Sequence, residues 1–90
     1  MMKIIIDEYD RDKVQRADVE TSSLANLLTF MVNNNVNITN ERFQDYEKRY
    51  KEAYLQFEKE KANIEKKYLK GTNFTSWSLS YEDCEITYNV

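Results

Sequence analysis

The side chains able to do chemistry in this sequence are few, and most sit in company that blunts them. The single cysteine, Cys84, lies between Asp83 and Glu85, whose negative charges oppose thiolate formation and so disfavour a reactive thiol. Adjacent acids occur at Asp7-Glu8 and Glu82-Asp83, the residue type that general acid–base work requires. On a strand the first two would point to opposite faces, and acids in a loop stay solvated. There is no histidine, and the only glycine, Gly71, follows a lysine-rich stretch instead of forming a phosphate-cradling loop. No serine or cysteine has a plausible base beside it. One thiol without histidine builds neither a disulfide nor a zinc cluster. These residues lead to the expectation of a protein that is not an enzyme, with no catalytic residues, no cofactor and no metal.

Two clusters point toward ligands instead. Tyr46, Tyr50, Tyr54 and Tyr68 are the residue type of a stacking platform for bases or a cage for a methylammonium group. Their helical spacing, in steps of four and then fourteen, gives a plainer reading: rings packed on a partner helix, with hydroxyls at the rim. Lys59, Lys61, Lys66, Lys67 and Lys70 crowd a short stretch and could meet phosphates, but Glu58, Glu60 and Glu65 are interleaved with them. Pairing along a solvated helix accounts for much of such a pattern. A nucleic-acid contact through Lys59, Lys66, Lys67 and Lys70 is kept as the alternative function.

The third feature is an absence of charge. From Thr21 to Asn40 there is no Asp, Glu, Lys or Arg, in a chain with 13 basic and 16 acidic residues and a net charge of −3. Ser22, Ser23, Asn26, Thr29 and Asn33 supply hydrogen-bonding groups in this block, and Leu27 and Phe30 add apolar surface. Interfaces are depleted of charge at their centres and enriched in aromatics. A helix buried between a sheet and another helix would exclude charge equally well. The candidate protein-interaction residues are Ser23, Asn26, Leu27 and Phe30. The weakly acidic total argues against a general nucleic-acid binder, whose affinity comes from neutralising phosphates.

The elements that hold these residues follow from periodicity. Three consecutive isoleucines within 3–9 predict a strand, since β-branched residues suit a pleated, buried surface. Asp10 or Asp12 is the expected cap of a first helix over about 11–33, with Val14, Ala17, Thr21, Leu24, Leu28 and Met31 along one stripe. A loop near Ala17 and Asp18, with the helix starting at Thr21 or Ser22, is the alternative. Asn33-Asn34-Asn35 stops that helix. Thr39 or Asn40 caps a second helix over about 40–70, whose stripe of Phe43, Tyr46, Tyr50, Ala53, Phe57 and Ile64 is broken only by Glu60. Gly71 supplies its stop. The period then changes to two: Trp77, Leu79 and Tyr81, then Ile86, Tyr88 and Val90, predict a hairpin over about 73–90, with a bulge or bend near Thr75 and Ser76.

The expected fold is therefore α+β in the order β-α-α-β-β, an antiparallel helical hairpin packed on a small three-stranded sheet, as a single domain over 1–90. The apolar run Ile4–Ile6 is too short for a signal peptide or a membrane span. Asn37-Ile38-Thr39 and Asn73-Phe74-Thr75 are accordingly read as chance matches to the glycosylation pattern, and the expected location is cytoplasmic, with no membrane partner. A composition rich in Asn, Lys, Ile, Tyr and Glu without Pro or His suits a small protein of A+T-rich bacteria, phages or other mobile elements. The functional expectation is a small adaptor or inhibitor that binds another protein through a helical surface. A symmetric homodimer is expected as well, with Leu27 and Phe30 offering the self-association patch.

Overall fold

The computed structural model describes residues Met1–Val90 and has the expected order: β1 (Met2–Ile5), α1 (Glu8–Asn33), α2 (Glu41–Tyr68), β2 (Ser76–Ser80) and β3 (Glu85–Asn89). The helices pack on each other, and the strands form one antiparallel sheet in the order β1-β3-β2.

The first strand is shorter than 3–9. Asp7 takes extended backbone and its carboxylate accepts the Tyr9 N–H at 2.8 Å, so Asp7, and neither Asp10 nor Asp12, caps α1. A side-chain acceptor there satisfies one of the orphan donors of the first turn, and Tyr9 therefore turns into the helix. The helix then runs unbroken through Ala17 and Asp18 to Asn33. Thr21, a residue that would suit a cap, is buried mid-helix and donates its hydroxyl to the Ala17 carbonyl at 2.7 Å. Asn35 at φ 61 follows the helix end. Asn40 caps α2 by accepting the Arg42 N–H at 2.9 Å. Beyond α2, Gly71 at φ 80 takes the left-handed turn, which a side chain disfavours.

Register sorts the sheet into two faces. Ile4, Ile86 and Leu79 align across the three strands, as do Met2, Tyr88 and Trp77. Ile86, Leu79, Tyr88, Trp77 and Ile4 join Ile6, Val14, Ile64 and Leu69 in the core. The opposite face carries Lys3, Thr87 and Ser78, then Ile5, Glu85 and Ser80. The bend near Thr75 is present, with the Thr75 N–H donating to the carbonyl of Asn89, which is also the register partner of Ser76. Phe74 consequently reaches the core out of phase with Trp77. The four-residue loop from Tyr81 to Cys84 closes with Cys84 at φ 53. That residue is half-buried, and its thiol lies 3.2 Å from the Ile6 carbonyl.

Five-residue strands span about 17 Å, whereas 28 helical residues span about 42 Å. The molecule is accordingly elongated, 46 × 24 × 22 Å. The core sits at the sheet end, and the rest of the hairpin is a two-helix arm closed by Ala17, Thr21, Met31, Phe43 and Ala53.

Candidate functional site

Near the core the helix seam is polar. Asp10, only 8% exposed, receives the Lys67 ammonium at 2.6 Å and the Tyr68 hydroxyl at 2.6 Å on the same oxygen. Tyr68 in turn accepts the N–H of Asp7 at 3.0 Å, tying the cap of α1 to the end of α2. Glu60, the residue that interrupts the α2 stripe, is buried as well and accepts from Gln56 at 2.7 Å. Lys13 bridges the two acids, 3.8 Å from Asp10 and 3.9 Å from Glu60. The Lys67 hydrogen bond, and next the Tyr68 hydroxyl, hold the Asp10 carboxyl below its ordinary 3.8. Asp10 raises the affinity of Lys67 for its proton, and burial followed by the bond to Asp10 pushes the Tyr68 phenol up.

Every buried polar side-chain atom has a partner, so the cluster is internally satisfied and acts as a clamp between helices. Because Asp10 titrates lower in the fold than in the unfolded chain, its contribution is complete above pH 3.8 and is lost as pH falls through the folded value. Asp10→Asn is expected to cost about 1–2 kcal/mol at pH 7, discounted for the exposed Lys67, and to flatten the acid limb of stability below pH ~4. Denaturant melts between about pH 3 and 7 check it: a limb as steep as in the parent chain would remove Asp10 from the account.

The lysines divide by face. Lys67 turns to Asp10, while Lys59 and Lys66 are exposed seven residues apart on one outward face of α2 and Lys70 is exposed in the turn just beyond it. Of the tyrosines, Tyr46 and Tyr50 are half-buried and Tyr54 lies outside, with its ring centroid 6.3 Å from that of Tyr50.

The four interaction residues lie on the arm. Ser23 and Asn26 are exposed, Leu27 is half-buried and Phe30 is 63% exposed. Exposed Val19 extends the row. On a helical wheel Val19, Ser23, Asn26 and Phe30 lie opposite Ala17, Thr21, Leu24 and Leu28, which face α2. Burial under the sheet therefore does not explain the missing charge at Phe30.

A second surface has no counterpart in the sequence reading. Between α2 and β2 runs a groove of about 350 Å³ lined by apolar Val14, Phe57, Trp77, Leu79 and Tyr81 with Lys61 beside them. Its walls are fixed by two bonds. Trp77 donates its indole N–H to Glu65 at 2.8 Å, and Tyr81 donates its hydroxyl to Asp18 at 2.7 Å. Burial and that bond push the Tyr81 phenol far above its ordinary value. Lys61 lies 4.6 Å over the Phe57 ring and 2.8 Å from Glu58. The alternation of Trp77 and Leu79 was visible, but α2 and β2 become neighbours only in the fold.

No family model, curated protein or solved structure matches this chain. No group of three His, Cys, Asp or Glu side chains is placed to hold a metal ion, and no helix is long and apolar enough to cross a membrane.

Proposed function

We propose that this chain is a small non-enzymatic binding protein, an adaptor or inhibitor, that docks another protein on the outward face of α1. The observation that carries the reading is the exposure of Phe30 in a stretch without charge, on an arm that projects beyond the sheet. A partly exposed aromatic ring ringed by Ser23, Asn26 and half-buried Leu27 has the make-up of an interface anchor with a neutral hydrogen-bonding rim. A solvated helix face would ordinarily carry charge.

Phe30→Glu is expected to change stability by no more than about 0.5 kcal/mol, because the side chain is largely solvated. It should reduce capture of the partner from host lysate at least tenfold, the loss of about 1.4 kcal/mol at an anchor. Capture that survives the substitution, or a melt lowered by several kcal/mol, would refute the reading.

The competing function is nucleic-acid binding along Lys59, Lys66 and Lys70. It is favoured by one observation: none of these three forms an ion pair within the chain. Such binding would weaken steeply with added salt, whereas an apolar protein interface responds little.

A further inference from the structure

The open edge of β2 carries an inference that does not depend on the α1 face. The phase of the sheet's hydrogen bonds settles which backbone groups of β2 lack partners. Ile6 N–H donates to the Cys84 carbonyl at 3.0 Å, in line with the β1–β3 register of Ile4 with Ile86 and Met2 with Tyr88. In an antiparallel strand, N–H and C=O of one residue point the same way and alternate along the chain. Residues 84, 86 and 88 therefore address β1, and 85, 87 and 89 address β2. Their register partners Ser80, Ser78 and Ser76 spend their backbone groups on β3. Trp77 and Leu79 then aim theirs outward, where no other backbone or side-chain group of the chain meets them.

Natural edges are blunted by Lys, Pro, bulges or covering elements. The β1 edge follows that rule, with Lys3 paired to Glu85 at 3.8 Å. Strand β2 reads Ser-Trp-Ser-Leu-Ser and carries neither charge nor proline.

We infer that β2 pairs antiparallel with β2 of a second copy across a two-fold axis at Ser78, joining the sheets into one of six strands. Both the sequence and the hydrogen-bond phase select this occupant. With Ser78 opposite its own copy, Trp77 meets Leu79 of the second copy and Leu79 meets its Trp77. Those are the residues with outward N–H and C=O, so the register closes four backbone hydrogen bonds. On the core-side face aromatic and aliphatic side chains meet, and on the other face Ser76 meets Ser80 and Ser78 meets Ser78, with no like charges opposed. An unrelated extended peptide could use the same backbone groups, but nothing on β2 would select it over the self-complementary strand.

Two short strands alone fall below the roughly 1,200 Å² that a stable interface buries. The groove supplies the remainder. It opens between β2 and the Glu58, Lys61, Ala62 and Glu65 flank of α2, so the two-fold brings the two grooves together and closes their apolar linings against each other. The flanks carry both signs of charge, which lets Lys61 of one copy meet an acid of the other.

Ser78 is exposed on the solvated face, so substitutions there spare the core, and the two-fold makes them self-opposing. Ser78→Lys and Ser78→Glu each set like charges face to face in a non-hydrogen-bonded pair, where the Cα atoms are only about 4.5 Å apart. Light scattering of the parent chain at about 100 μM, well above the Kd of a specific dimer, should give twice the chain mass. Each variant alone should give the monomer mass with an unchanged far-ultraviolet spectrum, and an equimolar mixture of the two should recover the dimer. Phe30→Glu should remain dimeric. A monomeric parent chain, variants that stay dimeric alone, a mixture that stays monomeric, or dissociation by Phe30→Glu would each overturn the proposal.

Discussion

Ile86→Ala is expected to destabilise the chain by about 2–5 kcal/mol, the range for truncating a large aliphatic side chain in a core. Ile86 is the most enclosed residue, at 0% exposed. It lies on the central strand, with Ile4 on one side and Leu79 on the other in register. Neither neighbour can collapse into the space without leaving its own ladder, so most of the cavity persists and the cost includes it. A 90-residue domain holds only about 5–13 kcal/mol in total, and at roughly 4–8 °C per kcal/mol the melting point should drop by at least ~8 °C. Ile5→Ala is the matched control, because Ile5 belongs to the same sheet but is 68% exposed on its other face. It should move stability by at most ~0.5 kcal/mol. Similar losses from the two variants would mean that the faces of the sheet are misassigned.

That contrast shows what was legible in the sequence. Period-two alternation sorted Trp77, Leu79, Ile86 and Tyr88 correctly, because large apolar side chains alternate there with polar ones, whereas Val90 keeps the period but lies beyond β3 and is exposed. The run Ile4-Ile5-Ile6 has no alternation, so it announced a strand without saying which isoleucine faces the core. Ile4 and Ile6 turn in and Ile5 turns out. The end of β1 was misplaced for a related reason: Asp7, Asp10 and Asp12 are all competent caps, and only the Asp7 backbone takes the extended geometry. Asp10 is needed elsewhere, under Lys67 and Tyr68, which lie 57 and 58 positions away. Contacts of that separation leave no periodic trace. Glu60 left a partial one, since a lone acid in an apolar stripe is a buried polar group awaiting partners. Gln56, four residues earlier, was readable as one of them, but Lys13 on the other helix was not. Phe30 was singled out by composition, yet its exposure depended on where the sheet ends, which no local pattern reports.

Ala53→Asp tests the arm, where no sheet supports the helices. Ala53 is 6% exposed in the seam beside α1, in the stripe that continues from Phe43 toward Phe57. An alanine at that place lets the helices approach closely, so an aspartate would bring both overlap and a charge with no partner. The clamp of Asp10, Lys13 and Lys67 lies nearer the sheet. A buried charge left uncompensated costs about 3–5 kcal/mol, and overpacking adds to it. Lys51→Asp, two residues away, removes an exposed pair with Glu47 at 3.4 Å and sets two acids one turn apart, worth only about 0.2–0.5 kcal/mol. Because α2 runs without interruption from Phe43 in the arm to Ile64 in the core, Ala53→Asp should unfold both together. Helical circular dichroism and the fluorescence of Trp77, held at the sheet end by Glu65, should then report the same lowered melting point. Equal effects from the two substitutions would reject the seam, and a helical signal lost well below the Trp77 transition would show the arm to be a separate folding unit.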